Sequence, residues 1–295
     1  MVILVYRDSD SAIDLVESVK DKNLFEKIVI VDNCSPDDSF ERLLPLQSDY
    51  IHVLKTEKNE GVARGNNFGA RYAKTICPDV DYFLFSNPDV VIDNDACITD
   101  VLEFLDNNKN VAAACPMELT REGDLARDFA WKLPDYKNTV LSVMPVYTKL
   151  FQRRKDYLWF YDPEEAVKKR VFYADVIISC FITVRRTAFD EIGGFHERTF
   201  LYNEENFIAY KFREKGYALA VLTEHPIVHL GCTSMNASFD NWESKGKILF
   251  DSSVIYLEDC LQTSPAGIWF YRQVYKFGVL ERRLFRRIKG ADKQQ

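Results

Sequence analysis

The sequence predicts an α/β fold: a mostly parallel sheet flanked by helices, with a helical tail at the C-terminus. Three observations carry this. Five short apolar runs recur through the first 120 residues, each bounded by turn-forming residues. Amphipathic helical patterns separate them, and continuous apolar strands of this kind belong to parallel sheets covered on both faces. Residues 267–295 then depart from the rest in charge and aromatic content.

Taken in order, "VILVY" (2–6) reads as the first strand, and Ser9 and Ser11 can cap a helix carrying Ile13, Val16 and Val19. "KIVIVD" (27–32) is a second strand, followed by a helix through Phe40, Leu43 and Leu44. "IHVLK" (51–55) is a third, with a helix from about Val62 to Lys74. "DYFLFS" (81–86) is a fourth, with a helix through Ile98, Val101, Leu102 and Leu105, and "VAAAC" (111–115) is a fifth. From 120 to 172 charge and aromatics mix without a clear period. That stretch reads as irregular, either facing an acceptor or packed on the core as a surface excursion. Regularity returns with a strand at 176–184, a short helix, Gly193-Gly194, a helix that opens on "NEEN" (203–206), and a strand at 218–222. "HPIVHLG" (225–231) then places two histidines in one loop.

The 295 residues, 47% hydrophobic and 28% charged, suffice for one large α/β domain or two smaller ones. A net charge of −7 disfavours nucleic acid as a partner. The seven cysteines form no CxxC pair or zinc spacing, so they read as reduced, mostly buried thiols of a cytosolic protein. No signal peptide precedes the first strand, and no apolar run approaches the ~18 residues needed to span a bilayer.

Ligands of open parallel sheets sit outside the carboxyl ends of the strands. Asp32 and Asp89 both fall at such ends. Asp32, with Asn33, can accept from a nucleobase imide or a ribose hydroxyl, or form an Asx turn capping the next helix. In "SNPDV" (86–90) Pro88 holds Asn87 extended and so fixes where Asp89 points. A hard cation such as Mg²⁺ or Mn²⁺ wants oxygen ligands and keeps substrate phosphates, so one carboxylate can suffice. "NEGVARGNNFGARYA" (59–73) spaces Gly61, Gly65 and Gly69 four apart, next to Asn59, Arg64 and Asn67. This allows close backbone approach and an anion at a helix N-terminus, or tight packing on the sheet, or both. Glu204 and Glu205 stand side by side at a helix start. They are a candidate general base, or charges that complement the helix dipole.

In this order the motifs resemble glycosyltransferase family 2, the inverting glycosyltransferases with the GT-A fold, and within it the rhamnosyltransferase-like bacterial subgroup. The matching stretches are "IVIVDNCSPDDS", "NEGVARGNNFGARYA", "FLFSNPDVVI", "SCFITVRRTAFDEIGGFHERTFLYNEENFIAYKFREKGY" and "VHLG". The resemblance implies a Rossmann-like catalytic domain over 1–245, with a nucleotide-binding half (1–120) and an acceptor-binding half (121–245), followed by the tail (246–295). It implies that Asp32 and Asn33 contact the base or ribose and that Asn59, Gly61 and Asn67 shape the nucleotide-binding turn. Asp89 becomes the metal-coordinating acid, Asn87 stands for the first acid of an Asp-x-Asp element, and His229 approaches the metal or pyrophosphate. Glu205 takes the catalytic-base position, one methylene longer than the family's Asp, with Glu204 as the first acid of the pair. Arg64 or Arg186 would help stabilise the leaving diphosphate, Arg185 and Arg186 matching a basic pair after the strand. Ser179 replaces a usual glycine.

The activity implied is transfer from dTDP-rhamnose or a UDP-hexose to a saccharide or lipid-linked acceptor, with Mn²⁺ or Mg²⁺, in cell-surface polysaccharide synthesis. Two alternatives remain: a catalytically degenerate scaffold that binds nucleotide, and a sugar nucleotidyltransferase. The second usually carries a glycine-rich loop after the first strand, where this chain reads "YRDSDSA". The tail sets eight basic residues, Arg272 to Lys293, against Glu281 and Asp292, interleaved with Trp269, Phe270, Phe277 and Leu280. That composition suits a helix lying on an anionic membrane, here the inner face of the plasma membrane, or a helix packing on the domain. Oligomeric state is left open.

Overall fold

The computed structural model describes residues 1–151, 160–231 and 242–291. The first half alternates as expected: β1 (Val2–Val5), α1 (Ser9–Val19), β2 (Ile28–Asp32), α2 (Ser39–Leu43), β3 (Ile51–Lys55), α3 (Val62–Ile76), β4 (Tyr82–Ser86), β5 (Val90–Val91), α4 (Ala96–Asn107) and β6 (Val111–Leu119). The cap of α1 is Asp8 rather than a serine, and Ser11 Oγ donates to its Oδ1 at 2.7 Å.

Strands β3, β2, β1 and β4 are mutually parallel. Alternate side chains of these strands enter opposite cores, which is why the strands read as unbroken apolar runs. Val29, Val31 and Phe85 join Ala63 and Ala70 of α3, while Ile28, Ile30 and Leu84 join Leu15 and Val16 of α1. Glycines bring α3 onto the sheet. A Cβ on Gly65 would lie 2.4 Å from Leu4 Cδ1, and one on Gly69 2.5 Å from Val2 Cγ1.

The parallel order does not continue into β6. The strand expected at 176–184 divides into β9 (Val176–Ile177) and β10 (Phe181–Arg185), and β10 inserts antiparallel between β4 and β6. A sheet of mixed direction results. β9 pairs instead with β7 (Ala130–Trp131), leaving Ile178–Cys180 as a short crossing between two sheets.

The stretch expected to be irregular contains β7, α5 (Tyr136–Ser142), α6 (Pro145–Phe151), α7 (Pro163–Ala166) and β8 (Val171–Ala174); residues 152–159 of it lie outside the described residues. Helices α5 and α6 pack on the C-terminal helices, while Ala166 of α7 joins the core of the main sheet. After α8 (Arg186–Glu191) and α9 (Glu204–Glu214) comes β11 (Ala218–His229), which carries both histidines on a strand rather than in a loop. The last helices are α10 (Trp242–Asp259) and α11 (Pro265–Ala291). Helix α10 runs through the boundary expected at 245. It joins α9 through Phe207 and Tyr256, and joins α5 and α11 through Val140, Leu257 and Tyr271.

Candidate active site

A local irregularity brings the first group of residues together. Leu222 of β11 pairs with Pro116 of β6, and the next pair is Ile227 with Glu118. Residues 223–226 therefore bulge out of the ladder, where Pro226 has no N–H to donate. The strand re-enters with His229 opposite Val90, next to Asp89, and Leu230 N–H donates to Asp89 O at 2.9 Å.

His229 then sits between two carboxylates. Its Nδ1 lies 2.8 Å from Glu118 Oε1, and its Nε2 lies 3.2 Å from Asp89 Oδ1 and 3.3 Å from Asn87 Nδ2. Asp89 and Glu118 are only 5% and 7% exposed, so water screens this cluster little. Burial acts to lower the proton affinity of His229, but its contacts with Asp89, Cys180 and Glu118 overcome this and raise it. Burial pushes the Cys180 thiol up to about 12. Glu118, Cys180 and His229 could together hold a cation. Glu118 Oε2 is buried without a hydrogen-bond partner among the described residues.

The second group is the acid pair. Tyr202 and Asn203 both adopt left-handed backbone (φ 73° and 68°) and aim the start of α9 back at the sheet. The turn is held from the C-terminal side. Asn203 Nδ2 donates to Ser253 Oγ at 3.1 Å and Asn206 Nδ2 to Asn203 Oδ1 at 2.7 Å, while Trp131 Nε1 donates to Asn206 Oδ1 at 2.8 Å. Glu204 is 5% exposed, and its Oε1 is buried without a hydrogen-bond partner among the described residues. Burial, reinforced by the charge of Glu205, pushes its carboxyl up to about 8. Burial raises Glu205 as well, opposed by Ser179, whose Oγ donates to Glu205 Oε1 at 2.5 Å.

Two consecutive residues of the crossing connect the groups. Ser179 holds Glu205, and Cys180 O accepts from Asn87 N–H at 2.7 Å. Their Cα atoms are about 3.8 Å apart, so this short crossing ties the acid pair to the Asp89–His229–Glu118 cluster, and the candidate cleft is the space beside it. Asp32 ends β2, two strands from β4 in the order β2-β1-β4, or about 10 Å away. It is fully buried, with its carboxylate accepting from Ser35 N–H and lying 3.9 Å from Lys55 Nζ. Burial raises its proton affinity against these contacts. The carboxylate thus holds the turn after β2 but does not cap the next helix, whose N-cap is Asp38.

Several expected binding residues are braces in this structure. Asn33 Nδ2 donates to Asn59 Oδ1 (3.1 Å) and Gly61 O (3.2 Å), and Asn59 Oδ1 accepts from Gly61 N–H (3.0 Å). Gly61 (φ 95°) must be glycine, because a Cβ there would lie 2.0 Å from Phe200 O. Asn67 spends both ends of its amide on Phe195 and Glu197. Arg64, near the start of α3, binds Glu60 and the carbonyl of Glu197.

Arg186 is separated from the cleft. Because β10 runs antiparallel to β4, Phe181 faces Ser86 and Arg185 faces Tyr82. The basic pair thus lies at the amino end of β4, about 13 Å from its carboxyl end. Arg186 N–H donates to Asp81 O, and Arg185 Nη2 donates to Leu105 O at 2.6 Å. His225 stands apart too, 3.6 Å from Asp100. Glu118 and Cys180 were missed by sequence reasoning. The one signal was an acid at the next-to-last position of a nine-residue strand whose preceding residues are all buried.

A model of glycosyl transferase family 2 matches residues 1–193. Two curated relatives are the O-antigen chain rhamnosyltransferase WbaN of Salmonella anatum, 25% identical over 71% of this chain, and RfbN of Salmonella typhimurium, 25% identical over 78%. The matches span 58% and 65% of those proteins, less than two thirds of their length. Among solved structures, the mannosyltransferase PcManGT of Pyrobaculum calidifontis, in complex with GDP-Man and Mn²⁺, is similar with a TM-score of 0.56 at 10% identity, over 94% of this chain and 68% of that one. GalNAc-T7, with UDP, GalNAc and Mn²⁺, is similar with a TM-score of 0.57 at 16% identity, over 78% of this chain and 43% of that one. At these identities the likeness carries the GT-A fold alone. With a family model covering most of its length, the chain belongs to glycosyltransferase family 2.

Proposed function

We propose that the protein is a metal-assisted inverting glycosyltransferase. It moves a sugar from a nucleoside-diphosphate donor, dTDP-rhamnose or a UDP-hexose, to a saccharide or lipid-linked acceptor of a cell-surface polysaccharide. The observation that supports this reading is the junction at Ser179-Cys180, whose two consecutive residues contact a candidate base and the segment that carries a candidate cation ligand.

The donor set suits a hard divalent cation such as Mn²⁺ or Mg²⁺: a carboxylate, an imidazole and the Asn87 amide, once turned to present its oxygen, with Glu118 Oε2, which has no partner among the described residues, behind them. Asp89, His229 and Asn87 would hold the ion, and when bound it supplies positive charge for the diphosphate. Glu118 accepts from His229 Nδ1 and so directs Nε2 toward Asp89. Asp32 takes the base or ribose. With Glu204 protonated near neutral pH and Ser179 donating to Glu205, the latter is the member of the pair that ionises and removes the acceptor proton. The acceptor oxygen attacks the anomeric carbon as the diphosphate leaves, inverting its configuration.

The experiment is a transfer assay with dTDP-rhamnose and UDP-hexoses, reading diphosphate release and the anomeric configuration of the product. Metal-dependent release with inversion is expected. Retention of configuration would overturn the single displacement, and tight nucleotide binding without turnover on any pair would favour a scaffold.

A further inference from the structure

We propose that the outer face of α11 is a docking surface for an anionic phospholipid bilayer. Helix α11 packs only one side inward: Ile268 and Tyr271 are buried, and Phe250 of α10 stacks on Tyr275 with ring centroids 3.9 Å apart. A Cβ on Gly278 would meet Val143 O at 2.1 Å, so this side is in close contact with the end of α5. At 100° per residue, Trp269, Phe270, Phe277, Leu280 and Leu284 fall within an arc of about 100° on the other side. Each is at least half exposed, from 50% for Phe270 to 63% for Trp269. Five large apolar side chains along one stripe are far more than the scattered exposed residues of an ordinary surface.

The charge beside the stripe selects the partner. Arg272, Lys276 and Arg283 occupy the adjoining arc of about 40°. Arg283 is paired with Glu243, while Arg272 and Lys276 are exposed and have no carboxylate partner among the described residues. The single acid of the described helix, Glu281, turns toward α6, where its Oε2 accepts from Val146 N–H at 3.5 Å. Helix α6 extends the patch: Leu150 is 71% exposed, and Lys149 Nζ lies 5.9 Å over the ring of Phe285. A tryptophan and aliphatic side chains edged by free cations match the boundary between acyl chains and anionic headgroups. Among the described residues no helix is long and apolar enough to cross a membrane, so this contact lies on the surface.

The placement has a consequence for catalysis. Helix α10 lies between α11 and the turn before Glu204, which it holds through Ser253. A bilayer on the outer face of α11 would therefore be about two helix diameters, ~20 Å, from that turn, within reach of an acceptor on an extended lipid-linked chain. That consequence rests on the function proposed above, whereas the binding itself does not.

The test is flotation of the full chain with vesicles of phosphatidylcholine alone and of phosphatidylcholine mixed with phosphatidylglycerol, without nucleotide or metal. Binding to the mixed vesicles that weakens with added salt is expected, and Asp89→Ala should bind equally well. Each cation near such a surface contributes about fivefold, so Arg272→Ala with Lys276→Ala should lower partitioning about 30-fold. Phe277→Ser with Leu280→Ser should lower it at least as much, with an unchanged melting temperature, because neither side chain is buried. Equal binding to neutral vesicles, no binding, or undiminished binding by both double variants would overturn the proposal. So would light scattering that finds a dimer which does not float and which Phe277→Ser with Leu280→Ser makes monomeric.

Discussion

Two pairs of carboxylates in this protein have opposite kinds of neighbour. Asp89 and Glu118 share an imidazole between them, and their contacts raise its proton affinity against the pull of its own burial. Glu204 and Glu205 are adjacent with no cation between them, and both are pushed toward the protonated form. The residue types are alike and Asp89, Glu118 and Glu204 are all buried, so the neighbours decide. One pair is a place that holds positive charge, and the other holds a single exchangeable proton. A metal-assisted displacement with a general base needs both, kept apart but facing one cleft.

The largest effect expected from breaking this contrast is on the proton side. Glu205→Gln keeps the shape and removes the base. Turnover should fall ~10²-fold or more, in line with general-base contributions, while donor affinity measured by calorimetry stays. Unchanged turnover would put the base elsewhere. On the cation side, Glu118→Ala frees His229 Nδ1 and should weaken Mn²⁺ binding about 10–100-fold, whereas Glu118→Gln, which still accepts from Nδ1, should recover part of it. Mn²⁺ titration followed by electron paramagnetic resonance reads this without turnover, and equal affinity in all three proteins would remove Glu118 from the site.

Smaller changes sharpen the comparison. Ser179 donates to Glu205 and favours its ionised form, so Ser179→Ala should move the acidic limb of the kcat–pH profile to higher pH. A limb that does not move would show that another group titrates. Glu204 gives the smallest effect, on stability. In the native state it keeps its proton up to about pH 8, against an ordinary value of 4.5. Between these values the native chain binds the extra proton, so stability falls as pH rises through this window. Glu204→Gln cannot ionise and removes that loss, so its melting temperature should change less than the wild type's from about pH 5 to 8.

How much of this was legible depended on where strand direction mattered. Asp32, Asn87 and Asp89 follow apolar runs directly, and a strand end followed by turn residues shows in sequence. Gly61, with its asparagines, also stood out, although the structure gives those asparagines bracing duties that the residue types alone do not reveal. Arg186 was misplaced because sequence adjacency to a strand says nothing of its direction: β10 runs backwards and carries the basic pair to the far edge. Glu118 and Cys180 were hidden for a related reason. They join His229 only through the insertion of β10 beside β6 and the bulge at 223–226 of β11, both of which depend on pairings distant in sequence. In the tail, α11 packs one side on the domain, and its composition could not say which side remained exposed.

The most direct test of the central claim, that the Asp89–His229 cluster holds a cation beneath a nucleoside diphosphate, is a thermal-shift panel. Uridine and thymidine diphosphates would each be added with Mn²⁺, Mg²⁺ or EDTA to the wild type, Asp89→Ala and Glu205→Gln. Ligand binding to the native state raises the melting temperature by mass action. The account predicts a shift that requires metal, survives in Glu205→Gln and is absent in Asp89→Ala. An equal shift in EDTA, or an undiminished one in Asp89→Ala, would contradict it.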